Sequence, residues 1–139
     1  MKALATEQKE NCERDGFLIY GQLLSEEEVE ILRERIDAMA AGDVEGVGIR
    51  LEEEAQKGGL QDVEEKNRVW QITGATRHDE AAFRHAVNPK ILDIVEDLLG
   101  SPDIKLFSDQ TIMKPAPHGR PVSGHEDAAY RTNIEPPKP

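Results

Sequence analysis

Apolar positions along the chain fall into separate groups, each with its own spacing. The clearest is Val29, Leu32, Ile36 and Met39, three or four residues apart, which makes one face of an α-helix. Its start is signalled by Ser25-Glu26-Glu27-Glu28. The serine hydroxyl can accept from the amide three residues on, while Glu28 reaches back to the serine amide. The three acids also suit the positive end of the helix dipole, and Gly42 predicts the stop. A second helix is predicted behind Asn88-Pro89, with Ile91, Leu92, Val95, Leu98 and Leu99 as its face and Gly100 as its close. Residues from about Thr6 to Arg14 predict a short polar helix, stopped by Asp15-Gly16.

Other stretches predict strands. Phe17-Leu18-Ile19-Tyr20 is a compact apolar run between two glycines, as in a buried strand. Arg68-Val69-Trp70-Gln71-Ile72 alternates, and Ile104 to Lys114 predicts a long strand. Between Gly42 and Gly59 the pattern is weaker. There Leu51-Glu52-Glu53-Glu54 predicts a short helix or a mobile excursion, with its acids on a solvated face. No internal repeat is present, and the mixture predicts an α+β fold.

Composition narrows this picture. The 139 residues suffice for one domain. Leu, Ile, Val and Phe make up only 32 of them, against a net charge of −11, so the core should be lean. The acidity argues against nucleic acid, whose phosphates need a basic face. No apolar run approaches the ~20 residues of a membrane span, and the N-terminus turns polar too soon for a signal peptide. A lone cysteine, Cys12, forms no internal disulfide, so the expected location is cytoplasmic.

Candidate chemistry gathers after the turn-forming segment Lys114-Pro115-Ala116-Pro117-His118-Gly119-Arg120-Pro121, where His125-Glu126-Asp127 follows. Residues two apart point the same way on a strand and different ways on a helix. In extended chain His125 and Asp127 can therefore meet one metal. His78-Asp79-Glu80 has related spacing but leads into a helical pattern, Ala81-Ala82-Phe83-Arg84. One imidazole and one carboxylate are two of the three donors of the two-histidine, one-carboxylate iron(II) triad. A surface hydrogen-bonded pair has the same spacing, and His118 is an alternative third ligand from across the turn.

An ordered set of segments bears on the choice: Gly16-Phe17-Leu18-Ile19, Leu24-Ser25-Glu26-Glu27-Glu28-Val29, Leu98-Leu99-Gly100-Ser101-Pro102, Lys114-Pro115 and His125-Glu126-Asp127-Ala128-Ala129-Tyr130. In order and spacing, from about Cys12 to Pro137, the set resembles the phytanoyl-CoA dioxygenase family. That resemblance implies an iron(II)- and 2-oxoglutarate-dependent dioxygenase that hydroxylates a small-molecule or lipid-derived substrate. The implied fold is outer helices around the strands of a double-stranded β-helix, a cupin-like jelly roll. It makes His125 and Asp127 the first two iron ligands, with Glu126 between them facing away. Gln110 and Arg68 match positions that approach the co-substrate. Lys114 matches a structural residue of its turn, and Tyr130 resembles an aromatic beside the site, with a core role as the alternative.

The chain also departs from the family pattern. Ser123-Gly124 precede the motif where the family commonly has an apolar residue. Twelve residues follow Asp127 and none is histidine, so nothing matches the family's distal histidine or the arginine that grips 2-oxoglutarate. The expectation is a partial domain over residues 1–139: the N-terminal part of a jelly roll, truncated and inactive alone, that self-associates or pairs with a missing C-terminal half. A non-catalytic interaction module and a small metal-binding protein of the same fold are the alternatives.

Overall fold

The computed structural model describes residues 3–114, 119, 121 and 122. Six α-helices, one 3-10 turn and a three-stranded antiparallel sheet follow one another among these residues. They are α1 (Thr6–Asp15), α2 (Glu26–Ala41), β1 (Gly48–Leu51), α3 (Glu53–Gln56), the turn Glu65–Arg68, β2 (Val69–Thr73), α4 (Ala75–His78), α5 (Glu80–Ala86), α6 (Pro89–Leu99) and β3 (Gln110–Ile112). The fold is α+β, as the pattern predicts.

The two capped helices form where their end signals lie. The Ser25 hydroxyl accepts from the Glu28 amide at 3.1 Å, and the Ser25 amide donates to Glu28 Oε2 at 2.7 Å. These bonds occupy end groups that the helix itself leaves unpaired. The Ser25 amide, then Lys90, hold the Glu28 carboxyl below its ordinary pKa. Gly42 closes α2 with φ of 88°, a conformation that costs an L side chain about 1–2 kcal/mol. Asn88 caps α6 through the Lys90 amide, and Pro89 opens it.

β2 is the central strand, with β1 and β3 antiparallel on either side. Its pairing with β1 slips: Arg50 faces Gln71 and Leu51 faces Val69, so Trp70 is an extra residue. This β-bulge breaks strict alternation. Val69 and Ile72, three apart, both turn into the core. There they meet Met39 and Ala40 at the end of α2, and Ala75. Ile36, Val44, Val47, Leu51, Ala82 and Met113 pack around this centre. Among the described residues only seven apolar side chains are buried, which matches the lean composition.

Several predicted details differ. Phe17 to Tyr20 form no strand, and Phe17 and Ile19 are 63% and 82% exposed. Both edges of β2, the central strand, are taken by β1 and β3, and the run pairs with none of the three. The long strand from Ile104 to Lys114 reduces to Gln110–Ile112, the positions that face Gln71 to Thr73. Leu106 and Phe107 before it are exposed. The stretch after Gly42 is ordered as β1 and α3, and Glu52 is buried rather than solvated because β1 carries it inward beside Arg68. On α6 the buried residue is Ile94, while Leu98 and Leu99 face outward. Leu4 is also buried. Its amide and the Lys9 ammonium both bind Asp97, tying the N-terminal segment to the side of α6.

Candidate functional site

His125, Asp127, Glu126, Tyr130 and His118 lie outside the described residues, and so does the turn from Pro115 to His118. The described chain leads up to them through β3, Met113 and Lys114. The Met113 amide donates to the Trp70 carbonyl at 2.8 Å, so this exit is fastened to the bulge of the central strand. Among the described residues no three His, Cys, Asp or Glu side chains group as metal ligands.

Gln110 and Arg68 are both described. Gln110 opens β3 opposite Thr73, and its side chain is exposed, with Oε1 accepting from Gln71 Nε2 at 2.6 Å. Arg68 ends the 3-10 turn just before β2. Its guanidinium turns back and donates to the carbonyls of Val63 and Gln61, both at 2.6 Å. Thr73 lies five strand positions beyond Arg68, roughly 17 Å at the usual rise. The structure therefore sets Arg68 and Gln110 at opposite ends of β2 and does not bring them together.

Gln110 also borders a cavity of about 260 Å³ between the sheet and the helices, with Met39, Thr76, His85 and Asp109 among its walls. Asp109 accepts from the Thr76 amide at 3.1 Å and from its hydroxyl at 3.0 Å. These bonds anchor the segment before β3 to the start of α4. The sequence held no signal for this long-range pair.

A wider cleft, of about 610 Å³, opens between α2 and α5. At its floor Asp79 has a side chain only 3% exposed. It accepts from the Ala82 amide at 3.0 Å, capping α5, and from Arg35 Nε at 2.7 Å, joining α5 to α2. Burial raises the Asp79 pKa, but the Ala82 amide and the Arg35 guanidinium together outweigh it and leave it below the ordinary value. The sequence did carry a signal for the cap, since Asp79-Glu80 precedes an alanine-rich helical run. The partnership with Arg35 was not visible there. His85 on α5 borders both cavities, and its buried Nδ1 has no hydrogen-bond partner.

The family model for phytanoyl-CoA dioxygenase matches residues 12–138. The peroxisomal phytanoyl-CoA dioxygenase of Mus musculus is 28% identical over 122 residues, and that of Bos taurus is 26% identical over the same length. Each alignment takes in 88% of this chain and 36% of the relative, so the chain spans about a third of the length of these relatives. No solved structure gives a significant match. No helix among the described residues is long and apolar enough to cross a membrane.

Proposed function

We infer the function from one premise: the chain belongs to the phytanoyl-CoA dioxygenase family. We propose that it contributes to an iron(II)- and 2-oxoglutarate-dependent dioxygenase that hydroxylates a small or lipid-derived organic molecule. The family match across residues 12–138, which includes His125 and Asp127, carries this reading. An imidazole and a carboxylate suit iron(II) as a donor set. When bound, the metal would couple reduction of oxygen to oxidative decarboxylation of 2-oxoglutarate. His125 and Asp127 would hold it on one face, with the second histidine and the co-substrate arginine supplied by sequence beyond these 139 residues. Gln110, exposed at the start of β3, is the described residue we assign to the co-substrate side. Arg68 would serve there only after releasing the Val63 and Gln61 carbonyls.

The three-stranded sheet would be part of a jelly roll whose other strands pair elsewhere. Exposed Phe17, Ile19, Leu106 and Phe107 support that reading, because they offer apolar surface to further strands or to a second copy. The relatives are named as peroxisomal. For this chain we propose a reducing, cytoplasmic setting, in keeping with its lone Cys12.

Anaerobic titration with iron(II) or manganese(II) tests the assignment. Two protein ligands leave the metal mostly hydrated, so binding should be weak, and it should be lost in both His125→Ala and Asp127→Ala. Tight binding that survives both substitutions would overturn it. The 139 residues alone should form no succinate from 2-oxoglutarate.

A further inference from the structure

We propose that the cleft between α2 and α5 binds a small, uncharged, largely apolar molecule bearing one hydroxyl group, which pairs with Nδ1 of His85. The cleft has the size usual for small-molecule sites, which run roughly 300–1,000 Å³, at about 610 Å³. Leu24, Ile31, Leu32 and Ala81 give it apolar walls. Ile31 is 45% exposed, so apolar surface is on offer at its side.

The charges around the cleft decide what it can take. Asp79 is paired with Arg35, Glu80 with Arg84, and Glu28 with Lys90. Each acid in the lining already has a cation, and each arginine already has a carboxylate. Of these, Asp79 is the buried one, so a charged ligand seated against it or Arg35 would break that pair and leave the Asp79 charge uncompensated. A neutral molecule breaks none.

One polar group remains unsatisfied. Nδ1 of His85 is buried and has no hydrogen-bond partner, although such an atom left unpaired costs about 1–3 kcal/mol. His85 stands where the cleft and the 260 Å³ cavity meet, and Leu32 and Arg35 border both spaces as well. Since Nδ1 is shut off from water, a hydroxyl reaches it only when the imidazole turns, and that turn is part of the proposal. Nδ1 then hydrogen-bonds the hydroxyl group, and the apolar body of the molecule covers Ile31 and Leu32. Neither candidate iron ligand is among the residues that line this cleft.

Three probes of one shape separate the possibilities: para-cresol, toluene and 4-methylbenzoate, each titrated into the 139-residue chain and followed by NMR of methyl and imidazole resonances. Para-cresol should give saturable shifts at Ile31, Leu32 and the His85 ring. It should bind about tenfold tighter than toluene, the worth of one net hydrogen bond, and tighter than 4-methylbenzoate. His85→Leu should bring para-cresol down to the level of toluene. Should that variant fail to fold, Ile31→Trp fills the cleft from a half-exposed position and should abolish the shifts. Equal binding of toluene and para-cresol, stronger binding of 4-methylbenzoate, no saturable shift, or shifts that persist in Ile31→Trp would each overturn the proposal.

Discussion

Asp79 caps α5 with one bond and ties it to α2 with another, and two substitutions separate them. Asp79→Ala removes both. Loss of a side-chain cap costs about 0.5–2 kcal/mol. The ion pair adds less than a buried pair would, because the Arg35 side chain is 43% exposed while Asp79 is only 3% exposed. With one end in water, about 0.5–1 kcal/mol is a fair figure for it. Asp79→Ala should therefore lose about 1–3 kcal/mol. Asp79→Asn keeps an oxygen for the Ala82 amide, and asparagine caps helices as well as aspartate does. It should lose only the ion-pair part, about 0.5–1 kcal/mol.

The pH dependence gives a second handle on the same residue. The folded pKa of Asp79 lies below the ordinary value, so its stabilisation is present above the unfolded pKa. It is lost as pH falls through the folded pKa. Asp79→Asn should be less sensitive than wild type across that acid window. Urea denaturation followed by circular dichroism, at neutral pH and in acid, measures all of this. The reasoning fails if Asn costs as much as Ala, or if Ala lies within about 0.5 kcal/mol of wild type.

Ile72→Ala, at a side chain with no exposure, should lose about 2–5 kcal/mol, whereas Leu99→Ala, 65% exposed, should stay within about 0.5 kcal/mol by the same denaturation. Gly46→Ala and Gly58→Ala both place a side chain at positive φ, but only at Gly46 would the new Cβ overlap the His78 ring. Thermal melts should rank Gly46→Ala the more damaging by about 1–3 kcal/mol, the usual cost of overpacking. The Lys9 ammonium, followed by the Leu4 amide, lowers the Asp97 pKa to about 2. The N-terminal latch should hold above the ordinary carboxylate pKa of 3.8 and loosen as pH falls toward 2, seen as a falling hydrogen-exchange protection factor at Leu4 that Asp97→Asn makes insensitive to acid.

What the sequence by itself determined were features whose physics is local. Ser25 with Glu28, Gly42, Asn88-Pro89 and Gly100 act within one turn of chain, so α2 and α6 begin and end where those residues stand. The alternation after Arg68 marked β2, and the family resemblance was carried by segments read in order. Strand extent was a different matter. Phe17–Tyr20 and Ile104–Lys114 both read as strands on paper, yet a strand exists only where a partner offers its amides and carbonyls, and β2 offers β3 three positions. The inward turn of both Val69 and Ile72 depends on how β1 slips past Trp70, which neither strand encodes alone. Tertiary structure likewise buried Glu52, joined Asp79 to Arg35 and Asp109 to Thr76, and set Arg68 and Gln110 at opposite ends of one strand. These are contacts between residues far apart in sequence, whose energies arise only once the packed elements bring them within bonding distance.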